Sequence, residues 1–528
     1  MPTRSADVLR AAVAGLLLAL SFPKIGHPAL AWIALAPLLT ALCAGTLRHA
    51  FLLGLLTGGI YFTGTLYWIT RVMVVYGGLQ GWIAVPVNAA LIAYLALFPG
   101  LFALVVRRLT MAHGPAALMA APLVWVATEL GRTHLLTGFP WVLVGYSQAT
   151  VLPIAQLASL FGVYGVSMLV TAVSAALALL AVRPAQASRS TYASKSVATY
   201  VSMSVTTYAF VAVTFAVVVV VALWGSRRVA ASEWTRSGDP IRVGLIQGNV
   251  DQGQKWDATR AAAIFDEYLR MTRRAIGEQA AFVLWPESST PFLFEEEPVG
   301  AERIRMLAVQ AHVPILFGSD QIVWRVAANR RIPDKYFNSA FLVRPDGTTG
   351  GVYRKMHLVP FGEYVPLQRL LFFASPLTEQ VGTFAPGETP ELLPVNGHPI
   401  SVAICYEVVY PALVREFVRG GSEMLTTITN DAWFGETSAP YQHFEQASMR
   451  AIEEGRYLVR SANTGISGIV DPYGRVVEKT SIFQQAVLVG EARFLKASTF
   501  YLRHGDILAY AATVAAAALL LSARRRVQ

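Results

Sequence analysis

At 528 residues the chain is long enough for more than one domain, and 54% hydrophobic against 14% charged residues excludes an ordinary soluble enzyme in favour of a membrane protein. The net charge of +10 sits in short basic clusters beside apolar runs. That arrangement excludes a nucleic-acid-binding stripe and reads as a topology signal.

In chain order, apolar runs near bilayer-crossing length fall at Val8 to Phe22, Ala29 to Ala44, Phe51 to Ile69, Trp82 to Val106, Ala116 to Leu130, Val163 to Val182, Tyr208 to Trp224 and Ile507 to Leu521. Arg4 and Arg10 stand ahead of apolar Ala11 to Phe22, but no small-residue cleavage site follows, so the first run is expected to remain as a span. Arg48, Arg107, Arg108, Arg183, Arg189, Lys195 and Arg524 to Arg526 fall on one side of this layout, against Lys24, Arg71 and Arg132 opposite. The basic side is cytoplasmic by the positive-inside rule, and both termini lie there. Three regions follow: a membrane domain of seven helices at 1–224, an extracytoplasmic domain at 225–505, and a last span with a basic tail at 506–528.

Between the fifth and sixth runs, Thr137 to Gln148 is dense in Gly, Pro and aromatic residues. Gly138 to Trp141 reads as part of an interfacial belt, with a lipid-contacting site as the alternative. Glu129 and Arg132 beside it are expected to pair, because a charge near a span end needs a partner or water. The Ser/Thr-rich stretch from Arg183 to Thr207 reads as a cytoplasmic loop.

The extracytoplasmic region changes pattern. Short β-like runs at Ile241 to Gln247, Ala281 to Trp285, Val313 to Gly318, Ala340 to Val343, Ile400 to Ile404, Met424 to Thr429, Tyr457 to Ser461 and Ile466 to Val470 alternate with helical stretches at Ala258 to Ile276, Pro411 to Gly420 and Tyr441 to Gly455. This is the pattern of a layered α/β domain with its chemistry at strand ends.

Three strand ends carry reactive groups: Glu287 after Phe282-Val-Leu-Trp-Pro, Lys355 after Tyr353-Arg, and Cys405 after Ile400-Ser-Val-Ala-Ile. Taken singly, each has a bland alternative: a helix cap, a solvated turn, a buried core cysteine. Together they make a nucleophile, a base and an oxyanion donor. A cysteine attacks a carbonyl as thiolate, so it needs a group to take its proton and a cation near the developing charge. His357 and His443 compete with Glu287 for the base's role. Cys43, the other cysteine, lies inside an apolar run, so neither a disulfide framework nor a cysteine metal site is available.

Trp-Pro-Glu287, Lys355 within Tyr-Arg-Lys-Met-His-Leu-Val-Pro-Phe-Gly-Glu363, and Cys405-Tyr-Glu407 resemble the Glu-Lys-Cys signature of the nitrilase (carbon-nitrogen hydrolase) superfamily. With several spans before this domain and one after, the whole chain is similar to the apolipoprotein N-acyltransferases of bacterial inner membranes. Gly138-Phe-Pro-Trp141, Gly145-Tyr-Ser-Gln148, Gln247-Gly-Asn249, Lys255-Trp256, Tyr336-Phe-Asn-Ser339 and Asn430-Asp-Ala-Trp-Phe434 extend the likeness.

The resemblance implies an αββα nitrilase-like sandwich joined to a multi-span helical membrane domain. It also implies ping-pong acyl transfer without cofactor or metal. Cys405 would take an acyl chain from a phospholipid such as phosphatidylethanolamine. The α-amino group of a diacylglyceryl-cysteine at an apolipoprotein N-terminus would then receive it, with Glu287 as base and Lys355 at the oxyanion. Glu363 would position Lys355 or the amine, Tyr406 and Glu407 would flank the nucleophile, and Trp256 would sit on a gating loop. Leu367, Leu370, Leu371, Phe372 and Phe373, directly after Glu363, suggest a lid that dips into the outer leaflet. Two alternatives stand: a membrane-anchored amidase acting on a small amide, and a non-catalytic lipoprotein-binding component.

Overall fold

The computed structural model describes residues 4–187, 197–253, 255, 257–327, 330–360, 362–364 and 384–525. Trp256 and the apolar stretch from Leu367 to Phe373, with the gate and lid expected of them, lie outside the described residues. The chain forms two compact units. One is helical and comprises Met1–Tyr67, Val85–Ala231 and Arg503–Gln528; the other comprises Trp68–Ala84 and Ser232–Leu502.

Leu47–Leu66, Gly81–His113, Ala158–Val182, Val205–Arg236 and Ile507–Arg524 are long and apolar enough to cross a membrane, and all but the ends of two of them fall in the helical unit. Arg4–Ala19 and Ala121–His134 are shorter, and the run from Ala29 to Ala44 is broken into short helices at Pro28–Leu30, Ala31–Ala34 and Ala36–Ala41. Close packing follows from small residues. A Cβ on Gly54 would fall 2.3 Å from the Pro99 carbonyl oxygen, and one on Gly58 would fall 2.8 Å from Ala96 Cα. The Gly-xxx-Gly spacing thus lets two helix backbones approach where no side chain would fit.

The aromatic-rich stretch after Ala121–His134 is not an interfacial belt. Trp141, Val142, Leu143, Val144 and Tyr146 are buried in the helical unit. Glu129 and Arg132 both serve this loop. Arg132 donates to the carbonyls of Trp141 (2.7 Å) and Val142 (3.3 Å), and Glu129 accepts from the Val144 N–H at 2.7 Å. Irregular backbone among apolar helices must have every polar group satisfied from within, and these two charges do it.

The second unit is built on two six-stranded sheets. The first runs in the order β12 (Ala486–Phe494), β1 (Asp239–Gln247), β2 (Phe282–Leu284), β3 (Ile315–Ala327), β4 (Arg330–Val343), β5 (Thr349–Arg354). The second runs β11 (Val476–Lys479), β10 (Gly468–Val470), β9 (Leu458–Ala462), β8 (Met424–Thr429), β7 (His398–Ile404), β6 (Leu393–Val395). Strands β1, β2 and β3 are parallel, as are β7, β8 and β9. These central strands are covered on both faces, which is why they read as near-continuous apolar runs.

Helices Ala258–Gly277 and Pro298–Ala311 cover the first sheet, packing Phe265, Tyr268, Leu269, Ile304 and Leu307 against Trp285, Phe317 and Phe341. Pro411–Arg419 and Ala439–Glu454 belong with the second sheet. The two sheets are stitched by Ser461 Oγ donating to the Ile246 carbonyl (2.9 Å) and Ser467 Oγ to Gln247 Oε1 (2.7 Å). The result is the αββα sandwich expected from the sequence.

Segment Trp68–Ala84 belongs to this unit although it lies among the membrane runs in sequence. Its Trp68 ring stands edge-on to Phe434 at 4.9 Å, and Tyr76 stands edge-on to Trp433 at 5.3 Å. Such offset aromatic pairs contribute about 0.5–1.5 kcal/mol each beyond their buried area.

Candidate active site

Parallel strands deliver side chains to one rim of their sheet, and both sheets do so here. Strand β2 ends at Leu284, and Trp285-Pro286 carry the chain on to Glu287. Strand β5 ends at Arg354, one residue before Lys355. Strand β7 ends at Ile404, and Cys405 opens a tight helical turn, Cys405–Val409. All three side chains are buried.

Lys355 Nζ lies 2.8 Å from Glu363 Oε1 and 3.6 Å from Glu287 Oε1. Asn338 Nδ2 donates to both carboxylates, at 2.7 Å to Glu287 and 3.1 Å to Glu363. The second Glu287 oxygen accepts from the Asn430 N–H at 2.8 Å, and the second Glu363 oxygen from the Val359 N–H at 2.8 Å. One ammonium and one amide thus bind two carboxylates in a buried site, where unpaired charges would be costly. Burial works against the Lys355 cation, but Glu363 and Glu287 outweigh it and push its pKa up. Lys355 therefore stays protonated at any working pH.

Burial pushes the Cys405 thiol far up, Glu287 adds to the rise, and Lys355 opposes it. The resting residue is a neutral thiol, which must lose a proton before the sulfur can act as a nucleophile. Cys405 has φ +54°, a left-handed conformation that costs a non-glycine residue roughly 1–2 kcal/mol. Ser288, next to Glu287, also has a positive φ of 42°. Gly318 makes room for that turn: a Cβ there would lie 2.3 Å from the Ser288 nitrogen and 2.7 Å from Glu287 Cα. Gly318→Ala should therefore shift Glu287 and lower kcat by about ten- to a hundredfold, since small misplacements at the reacting centre are that costly. Steady-state kinetics of the variant check this.

Glu407 points away from solvent and fastens two site segments together. One of its oxygens accepts from Tyr353 Oη (2.8 Å), the Met356 N–H (2.7 Å) and the His357 N–H (3.0 Å), and the other from the Ile404 N–H (2.7 Å). It ties the strand end before Cys405 to the loop after Lys355. Tyr406 packs edge-on against Tyr410 at 5.2 Å, and the His357 ring lies 3.8 Å from that of Tyr410. Burial and the neighbouring Lys355 hold the His357 pKa down at about 4, so its ring is neutral at ordinary pH. His443 meets Cys405 at its carbonyl: Nε2 lies 3.1 Å from that oxygen.

Several residues that build this site escape a reading of the sequence. Asn338 lies within the quoted run Tyr336 to Ser339, and its signal was a polar amide in an otherwise apolar strand half. Asn430 contributes a backbone N–H, which no side-chain pattern reveals. Lys255 is buried and donates to the Glu287 carbonyl at 3.2 Å. Asp431 holds Arg460 and His443 on its two oxygens, at 2.8 and 3.0 Å, all three fully buried.

Burial opposes the Asp431 carboxylate, yet Arg460 and His443 outweigh it and bring its pKa down to about 2 from 3.8. A depressed folded-state pKa stabilises the native chain above pH 3.8, and that contribution is lost as pH falls through about 2. It amounts to roughly 2 kcal/mol. Asp431→Asn should flatten this part of the stability–pH curve, measured as thermal midpoint against pH.

A buried thiol, a carboxylate and a lysine at the strand ends of an αββα sandwich define a carbon-nitrogen hydrolase-type enzyme, and residues 242–494 match the carbon-nitrogen hydrolase family model. Residues 14–176 match that of the apolipoprotein N-acyltransferase N-terminal domain. The chain is 41% identical to the apolipoprotein N-acyltransferase of Geobacter metallireducens, covering 98% of this chain and 96% of the relative. It is 34% identical to those of Methylococcus capsulatus (98% and 96% covered) and Pseudomonas paraeruginosa (94% and 92% covered). The chain belongs to the apolipoprotein N-acyltransferase family. It is an acyltransferase and a multi-pass protein of the bacterial inner membrane.

Proposed function

We propose that the protein transfers an acyl chain from a phospholipid, phosphatidylethanolamine among the candidates, to the α-amino group of the diacylglyceryl-cysteine at an apolipoprotein N-terminus. The transfer is ping-pong through a Cys405 thioester. The observation that carries this reading is the buried set of Glu287, Lys355 and Glu363 gathered with Cys405, in a chain whose full length follows the family.

In the first half-reaction Glu287 takes the thiol proton as the sulfur attacks the ester carbonyl. Lys355 donates to the oxyanion, and the ester C–O bond breaks. The leaving lysophospholipid oxygen receives the proton from Glu287. In the second half the amine attacks the thioester and Glu287 accepts its proton. The C–S bond then breaks, and the thiolate takes the proton back. Asn338 and the Asn430 N–H hold Glu287 in register, and Glu363 holds Lys355. Tyr406 and Glu407 frame the nucleophile's turn. Residues 225–505 face the periplasm and both termini face the cytoplasm, a reading supported by the side on which Lys and Arg collect.

Intact-protein mass spectrometry after incubation with a defined phospholipid should show one acyl mass on the protein. Adding a diacylated lipopeptide should remove that mass and place it on the peptide. Loss of the acyl group to water, with none on the peptide, would identify a hydrolase. No acyl adduct at all would identify a binding component.

A further inference from the structure

Cys405 is held at a second point, away from Glu287 and Lys355. Its carbonyl faces His443 Nε2 at 3.1 Å, and Thr429 is a neighbour of its thiol. Both partners converge on one carboxylate. Thr429 Oγ1 donates to Asp431 Oδ1 at 2.9 Å, the oxygen that also faces His443 Nδ1 at 3.0 Å. Arg460 completes the cluster, with one nitrogen 2.8 Å from Asp431 Oδ2 and 3.1 Å from His443 Nδ1. The groups arise from the end of β8, the turn after it, helix Ala439–Glu454 and β9. His443, Asp431 and Arg460 are fully buried.

The hydrogen bond to the backbone fixes one ring proton of His443. A carbonyl only accepts, so Nε2 must carry a proton. Nδ1 lies between the Asp431 carboxylate, which only accepts, and the Arg460 guanidinium, which only donates, at 3.0 and 3.1 Å. Burial and Arg460 lower the imidazole's proton affinity, with Asp431 opposing. With its proton committed to a backbone oxygen, Nε2 is unavailable as a base for the thiol.

We infer that His443, oriented by Arg460 and Asp431, is a positioning residue that locks the Cys405 carbonyl and so holds the left-handed turn presenting the thiol to Glu287. The turn has φ +54°, a conformation that persists only where the surroundings over-determine it. Glu407 fixes the residue before the turn, and His443 fixes the carbonyl at it. The Phe434 ring, edge-on to His443 at 6.0 Å, closes one side of the imidazole.

This inference rests on Cys405 being the nucleophile proposed above, and two amide variants test it. A glutamine amide nitrogen reaches the place of Nε2, whereas an asparagine amide nitrogen reaches only that of Nδ1. His443→Gln and His443→Asn are compared in the full chain, in detergent or bilayer. Three quantities are read: kcat and donor KM for acyl transfer, the rate of Cys405 alkylation by iodoacetamide followed at its own peptide, and the thermal midpoint.

His443→Gln should keep kcat and alkylation within about tenfold of the parent. His443→Asn should lose about a hundredfold in both, at unchanged donor KM, the scale expected for a misplaced reacting group. Equal behaviour of the two variants, or a loss confined to KM, overturns the inference. If His443→Asn does not fold, His443→Gln decides alone: retention supports the role, and a hundredfold loss at the parent's thermal midpoint refutes it. If phospholipid leaves no acyl group on the parent protein, the proposed function fails, while the alkylation rates still decide the role of His443.

Discussion

Cys405→Ala should abolish both half-reactions, leaving no acyl mass on the protein and no product on the lipopeptide. The effect is the largest expected of any single change because the covalent intermediate has no other atom to form on. Cys43, the other cysteine, lies in the helical unit, apart from Glu287 and Lys355. Cys405→Ser is more informative. A hydroxyl holds its proton more tightly than a thiol, and an ester is a poorer acyl donor to an amine than a thioester. The serine variant should therefore accumulate acyl-enzyme slowly and turn over with no useful rate. Intact-mass time courses distinguish the two variants, and full transfer by Cys405→Ala would refute the role given to the thiol.

Lys355→Met should be nearly as severe, and for two separable reasons. In the role proposed for Lys355, loss of one oxyanion donor raises the barrier by about 3–4 kcal/mol, which is a hundred- to a thousandfold in kcat. The ammonium also binds Glu287 and Glu363, and its removal leaves two buried carboxylates facing each other across Asn338. Breaking a buried ion pair from one side costs about 3–5 kcal/mol of stability. A double variant, Lys355→Met with Glu363→Gln, separates the two effects. Stability should recover in large part because one stranded charge is gone, while kcat should stay low because the oxyanion donor is still missing. Thermal midpoint and single-turnover acylation, measured together, check both halves.

Much of the α/β unit is legible in the sequence because its central strands are buried on both faces. The apolar runs at Ile241 to Gln247, Met424 to Thr429 and Tyr457 to Ser461 correspond to β1, β8 and β9 within a residue or two. The peripheral strands are not legible. All four residues of β11 are exposed, and the first seven residues of β4 are exposed in a long hairpin with β3. Such strands are held by ladder hydrogen bonds to neighbours far along the chain, a force that leaves no apolar period behind. The stretch from Gly138 to Trp141 misleads for a related reason: Gly, Pro and aromatics mark a membrane interface and a tightly buried loop alike.

Reactive residues at strand ends stand out for a local reason. Each follows directly on a run whose composition announces a buried strand, so Glu287, Lys355 and Cys405 are locatable one at a time. Their partners are not. Asn338 bridges two carboxylates that lie 51 and 25 residues away from it in sequence, and His443 meets a carbonyl 38 residues before it.

By itself the sequence determined the membrane character, the alternation of strands and helices, and the strand ends at which the thiol, carboxylate and lysine stand, because hydropathy and periodicity act over a few neighbouring residues. Only the tertiary structure decided how those groups are charged and aimed. It gave Lys355 two carboxylates to share, denied Cys405 a resting thiolate, and set His443 on the Cys405 carbonyl. Burial and hydrogen bonding depend on what the fold brings within about 3 Å.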